Sequence, residues 1–398
     1  MEPLTPAPAP WRMALSGLSA SLIGIGLARF AYTPLLPAVI AAGWFSPADA
    51  AYLGAANLAG YLLGALLAPP VAARLPAVPV LRVMMALAAA SFFACGFPVS
   101  FAWFFVWRFA AGIAGGILMA LVAPTVLPHV PHGRRGLVGG AIFVGVGCGI
   151  VASGTVVPAL LTSGLGVTWW GLGALCAVLT AVAWGGWPSA AALPAVARPL
   201  ESASSGAALR ALYVSYGLIA IGLVPHMVFL VDFIVRGLGQ GLTAGAHCWV
   251  LFGLGAVVGP MLAGAIADRI GFGPTLRLTL LAQAVAVGAL AVTTGPLALA
   301  ISSVAVGAFV PGSVAIVLGR MHELVPADHH RQRAAWSWCT TAFALGQAAG
   351  AYGLSYLFAR TGGAYDVLFV VGALALAAAL ALELAMLALP AAATATEP

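Results

Sequence analysis

Lysine does not occur in this chain, and acids are scarce: ten Asp and Glu stand against sixteen Arg in 398 residues, leaving only 7% of the sequence charged. Soluble globular chains carry roughly 25% charged residues. With 63% apolar residues and a mean hydropathy of +1.08, too little polar side chain remains to face water. A soluble enzyme is excluded, and a net charge of +6 spread along the whole chain makes no nucleic-acid surface. Cysteine offers no framework either. Cys95, Cys148, Cys176, Cys248 and Cys339 are odd in number, each alone in an apolar stretch and none at metal-ligand spacing, so all five read as small buried apolar residues. Also missing are a Walker-type loop, an H-E-x-x-H or G-x-S-x-G cluster, and paired acids inside apolar runs. These absences argue against ATP drive from this chain, against a membrane-embedded enzyme, and against any metal or cofactor. Rings of like charge, as a channel requires, are not visible.

What is present is apolar sequence in lengths that cross a bilayer, for which about 20 residues suffice. The hydropathy pattern predicts an all-α integral membrane protein with spans near 13–42, 47–72, 77–97, 100–127, 137–160 and 165–187, then 209–235, 243–267, 275–294, 297–319, 335–358 and 364–389. The first six make a predicted N-terminal bundle, 1–187, and the last six a C-terminal bundle, 209–398. Segment 188–208, with Pro188, Pro194, Pro199 and four serines, is the one long polar connection and is expected to be a cytoplasmic linker. The N-terminal segment lacks a basic region before its first apolar run, so that span is expected to be retained. Arginine placement tests the span count. With the N-terminus inside, Arg12, Arg74, Arg82, Arg134, Arg135, Arg198, Arg210, Arg269, Arg277, Arg320, Arg331 and Arg333 fall on the cytoplasmic side, while only Arg236 and Arg360 fall outside. That bias follows the positive-inside rule and predicts a multi-pass protein of the cell (inner) membrane with both termini cytoplasmic.

The halves repeat. At an offset of 195 residues, Gly60, Gly64, Arg74, Pro79 and Arg82 fall on Gly255, Gly259, Arg269, Pro274 and Arg277. Duplicated halves of this parallel kind are one plan for a transporter.

Three motifs carry chemistry or hinge geometry. Gly264-Ala-Ile-Ala-Asp268-Arg269-Ile-Gly271 closes the eighth span, and it resembles the G-x-L-x-D-R-x-G loop of the major facilitator superfamily. The resemblance implies a fold of two pseudo-symmetric six-helix bundles and a cytoplasmic latch built on Gly264, Asp268, Arg269 and Gly271. In the first half Pro69, Ala73 and Pro76 stand where the second has Gly264, Asp268 and Gly271, so that copy is degraded. Trp107-Arg108-Phe109, followed by Gly112, Gly115 and Gly116, is similar to the superfamily's fourth-helix pattern. An Arg at mid-bilayer costs about 2.5–3.5 kcal/mol on insertion scales and should face the bundle interior, where it serves proton-linked switching, an anionic substrate, or helix-end carbonyls. The first span carries Gly24-Ile-Gly26-Leu-Ala-Arg29-Phe30-Ala-Tyr32-Thr33-Pro34-Leu-Leu-Pro37. Helical spacing puts Gly26, Arg29, Tyr32 and Thr33 on one face, and Pro34 withdraws an amide and frees the carbonyl of Phe30. This run resembles the R-F-x-Y-T-P-x-L-P stretch of the superfamily's YbfB/YjiJ branch.

Arg29, Tyr32 and Thr33, with Asn57 and Tyr61 one turn apart in the second span and Gln347 in the eleventh, are the candidate substrate cavity. Asn57, Tyr61 and Gln347 read equally as glue between helices. Arg108, His226 and Asp232 are the candidates for proton coupling, His226 because imidazole ordinarily changes charge near neutrality. Asp232 and Arg236, four residues apart, also read as a boundary ion pair. His247 is expected to be packing, and His129, His132, His329 and His330 to be solvated loop residues. The function implied is a secondary transporter of a small organic solute, best an organic anion moved with a proton, acting as a monomer in the bilayer with neither nucleic acid nor cofactor. Export of amphipathic compounds is the alternative, although the glycine-rich fifth span lacks the Gly-Pro pair of the antiporter motif. A non-transporting receptor is the reading from another class.

Overall fold

The computed structural model describes residues 8–188, 206–325 and 329–388. The side chains of His132, His329, His330 and Ala388 are outside that description, as is most of the expected linker. Among the described residues there is no strand, and twelve rods of membrane-crossing length follow one another. They are α1 (Pro10–Ala41), α2 (Pro47–Ala72), α3 (Ala77–Cys95), α4 (Phe101–Val126), α5 (Arg135–Leu161), α6 (Leu165–Ala183), α7 (Ala207–Gly237), α8 (Gly241–Ile270), α9 (Phe272–Val292), α10 (Pro296–Leu324), α11 (His329–Arg360) and α12 (Tyr365–Ala388). Helices are what the composition demands, because hydrocarbon offers no partner for backbone N–H and C=O groups. Eleven of the twelve are apolar enough to cross a membrane by composition. The exception, α11, carries Arg331, Gln332 and Arg333 in its first turns and Gln347 further on, which lowers its hydropathy without shortening it.

Local chemistry sets the ends. Ser46 caps α2 by accepting from the Asp49 amide (3.1 Å), and Ser100 caps α4 by accepting from Trp103 (3.1 Å). Between α8 and α9 a single residue, Gly271, turns the chain at φ +84°, a conformation side chains with a Cβ resist. Two rods are interrupted inside. In α1 a π-turn spans Leu22–Leu27, the chain passes through a turn, and the helix resumes at Tyr32. In α7 π-turns span Pro225–Phe229 and Phe233–Gly237. A proline amide that cannot donate accounts for the first of these.

The chain separates into two compact units, 1–196 with α1–α6 and 197–398 with α7–α12. In the first, Trp169 of α6 gathers Tyr32, Phe92 and Phe104 at 5.8–6.3 Å between ring centres. In the second, Phe229, Phe233, Phe358, Phe369 and Tyr365 interlock α7, α11 and α12. Large apolar residues such as Val106, Met261, Val292 and Leu374 are exposed on the rods, the pattern of a surface solvated by lipid.

The repeat reaches beyond matched residue types to the contacts themselves. A Cβ on Gly60 would strike the Phe109 carbonyl, and one on Gly255 the Val304 carbonyl. Gly64 lies against the Ile113 backbone and Gly259 against that of Ala308, while Gly112 meets Asn57 and Gly307 meets Phe252. Each of these partners is offset by the same 195 residues. Helices α2 and α4, and again α8 and α10, therefore pack backbone to backbone.

The candidate site at the broken helices

Arg108 is almost wholly buried (3% exposed) and is held by groups of the protein itself. Its Nη1 donates to the carbonyl of Ala28 at 2.7 Å, and the guanidinium lies over the ring of Tyr32, 4.4 Å from its centre. Asn57 Nδ2 donates to the same Ala28 carbonyl (3.3 Å) and to the Arg108 carbonyl (3.2 Å), binding α2 to α1 and α4. Tyr32 donates its hydroxyl to Ala50 of α2 at 2.8 Å. Arg108 Nε keeps no hydrogen-bond partner among the described residues. The carbonyl that draws the arginine is thus Ala28's. The carbonyl of Phe30, expected to be freed by Pro34, accepts instead from the Thr33 amide at 3.3 Å.

Arg29 emerges from the turn below the π-turn and stacks on Tyr61 of α2, with its guanidinium carbon 4.1 Å from the ring centre. Both residues are half-buried, whereas Tyr32, Thr33, Asn57 and Gln347 are buried. Gly26, Arg29, Tyr32 and Thr33 do not share one face: Gly26 is pressed against Gly149 of α5, while Arg29 and Tyr32 reach α2. The interrupted helix no longer advances 100° per residue, which is why helical spacing misplaces them.

In the second unit His226, fully buried in the first π-turn of α7, bonds through Nε2 to Ser302 Oγ of α10 at 2.7 Å. Ser302 donates its own hydroxyl to Ala286 of α9 at 2.6 Å, so Nε2 of the imidazole is the donor to Ser302. Its Nδ1 has no partner among the described residues. One turn and a half further, the fully buried Asp232 is gripped by Arg236 through two bonds of 2.6 Å, and by the Tyr365 hydroxyl at 2.6 Å. Gln347 reaches Met227 Sδ at 3.7 Å and joins α11 to α7.

Asp268 and Arg269 are exposed at the end of α8, Gly264 has open space around its missing Cβ, and Gly271 makes the turn already described. Two further expectations fail. His247 is exposed rather than packed, and Cys148 is half-buried where the other four cysteines are buried. His129 Nδ1 lies 3.1 Å from the Thr125 carbonyl.

Sequence reading missed four polar partners. Tyr365 and Ser302 have no signature, since a Tyr at a helix start and a Ser in an apolar run are ordinary. Glu383, buried and bonded to Ser215 at 3.0 Å, had one: it is an acid deep within the last apolar run, well past Asp366 at that run's start. Glu323 accepts from the Phe272 amide (3.0 Å) and from Arg320 (2.8 Å), tying α10 to the turn at Gly271.

The geometry is that of a membrane carrier in two like halves, each with a broken first helix and buried polar groups, and comparison with known proteins agrees. Solved structures of the same fold include a bacterial homologue of the human lysosomal transporter Spinster in an inward-facing, occupied conformation (15% identity, 98% of each chain, TM-score 0.70). Another is a D-xylose–proton symporter (16% identity, 94% of this chain and 97% of the other, TM-score 0.70). No curated protein sequence matches. The family model described as "Uncharacterised MFS-type transporter YbfB" matches residues 21–384. The chain belongs to that family: it is a multi-pass secondary transporter of the major facilitator superfamily and not an enzyme.

Proposed function

We propose that this transporter moves a small organic anion together with a proton across the cytoplasmic membrane, as a monomer with both termini inside. The observation that carries the anion is a charge imbalance. Residues 8–188 contain seven arginines and one acid, Asp49, which is tied to Ser46 at the first turn of α2. Residues 8–188 therefore carry a surplus of positive charge, with Arg29 beside the break in α1. A planar guanidinium matches a carboxylate through two parallel hydrogen bonds, which Lys does not reproduce. Arg29, with Tyr61, is the anion contact in this reading; Tyr32, Thr33 and Asn57 shape the break behind it.

The proton is assigned to α7. Asp232 is a buried carboxylate whose partner, Arg236, is partly exposed (27%) and free to exchange it for solvent, while His226 lies six residues earlier in α7. Exposed Asp268 and Arg269, with Gly264 and the turn at Gly271, form the cytoplasmic latch. The D-xylose–proton symporter shares only the fold at 16% identity, so it supports alternating access and lends no substrate.

Reconstituted protein tests this. Vesicles with an alkaline interior should accumulate a radiolabelled carboxylate that the protein binds, and a protonophore should abolish the accumulation. Uptake indifferent to the gradient removes the proton, and stabilisation by cations alone removes the anion. Reporter fusions after Ser205 and Pro398 should read cytoplasmic and one after Gly295 external.

A further inference from the structure

The two arginines at the break in α1 are not equivalent, and the difference bears on how many negative charges the substrate carries. Arg108 is 3% exposed, with Nη1 committed to Ala28 and its face covered by Tyr32. The Ala28 carbonyl and Asn57 complete a closed knot, since both Asn57 amide bonds lead to backbone carbonyls of that knot. Arg29 is half-buried on a half-buried ring. Of the two arginines, only Arg29 keeps more than a few per cent of its surface exposed.

We infer that the substrate is a monocarboxylate, bound end-on by Arg29 with Tyr61 as the flat wall beside it, and that Arg108 is a brace which never touches it. This inference rests on the anion reading above. A second carboxylate brought to the same place would lose its water without gaining a hydrogen-bonded partner, because the remaining cation is sealed under Tyr32, and a buried unpaired charge is strongly disfavoured. The rest of the substrate is apolar or weakly polar for the same reason: Thr33, Asn57 and the hydroxyl of Tyr32 are all buried, and the Asn57 amide and the Tyr32 hydroxyl are committed to backbone carbonyls. Coupled to one proton, transport of such an anion is electroneutral.

The test is ligand-induced thermal stabilisation of the purified full-length protein against straight-chain monocarboxylates, dicarboxylates of matched length, and the corresponding amides and amines. Monocarboxylates should bind at least tenfold more tightly than dicarboxylates. Arg29→Gln should lose that binding by tenfold or more, and Tyr61→Leu should weaken it while Tyr61→Phe restores most of it. Arg108→Gln should lower the melting temperature and leave the affinity within about threefold; where that variant does not fold, Asn57→Ser probes the same knot. Dicarboxylates binding as well as or better than monocarboxylates overturn the inference and leave the anion reading standing. Binding of amines alone overturns both. Loss of affinity in Arg108→Gln or Asn57→Ser equal to that in Arg29→Gln refutes the division of labour.

Discussion

In the first unit the break in α1 is held by a cation: Arg108 and Asn57 converge on one backbone carbonyl, that of Ala28. In the second the break in α7 is held by a hydroxyl relay, His226 to Ser302 to the Ala286 carbonyl. The wider treatment of arginine differs in the same way. The first unit places Arg29 and Arg108 on tyrosine rings, and lays Arg82 over Trp184 while bonding it to that residue's carbonyl. The second gives Arg236 and Arg320 the carboxylates of Asp232 and Glu323. The glycine-to-backbone contacts of α2 with α4 and α8 with α10 nevertheless coincide at one offset. Duplication preserved the steric frame, where any side chain is intolerable, and let the polar groups diverge. The first unit is left with a surplus of arginine over acid, and the second pairs arginine with acid.

The largest effects should fall on what the halves share. Gly64→Val and Gly259→Val both drive a side chain into a neighbouring backbone, and each should cost more than about 4 kcal/mol and abolish the monodisperse peak in size-exclusion chromatography. Gly140→Val, with open space around it, should leave that peak intact. Collapse of only one of the first pair would break the equivalence. Next comes the ion pair confined to the second unit. Arg236→Gln strands a fully buried carboxylate and should cost about 3 kcal/mol. Asp232→Asn should cost clearly less, since Arg236 is partly exposed, while removing the response of uptake to a pH gradient. The reverse order of melting temperatures would show that Asp232 is not the buried partner.

Smaller changes sharpen the contrast between the two breaks. Arg108→Met should lower stability by about 2–3 kcal/mol, and Ser302→Ala by about 1–2 kcal/mol, because the bond lost in the first is charge-assisted and that in the second is neutral. Thermal unfolding of the purified variants compares them directly. Smallest in stability is Asp268→Asn at the exposed end of α8, expected to shift the melting temperature little and to slow flux several-fold with ligand affinity preserved. Unchanged flux at equal expression removes the latch.

Much of the architecture was legible because hydropathy reports the apolar lengths that a membrane-crossing chain needs. The spans near 47–72 and 364–389 return as Pro47–Ala72 and Tyr365–Ala388. Ends that run past the expected limits, as in His329–Arg360 against 335–358, do so because a helix continues into water where hydropathy no longer reports it. The site was legible only where chemistry is local. Asp232 and Arg236 were paired by their spacing of four. Tyr365, 133 residues from Asp232, was not, and neither was the Ala28 carbonyl, since every residue has one and only the break selects it. The same interruption defeated the assignment of Gly26 and Arg29 to one face.

The backbone-to-backbone seams have a mechanical consequence. Helices that meet through glycine cannot absorb displacement by changing rotamers, so α2 with α4, and α8 with α10, behave as stiff plates. Compliance is then concentrated in the segments whose carbonyls are already out of α-helical register, 22–31 and 225–237. Amide hydrogen exchange in detergent should be slowest in the plates and fastest, within the apolar rods, at those two stretches.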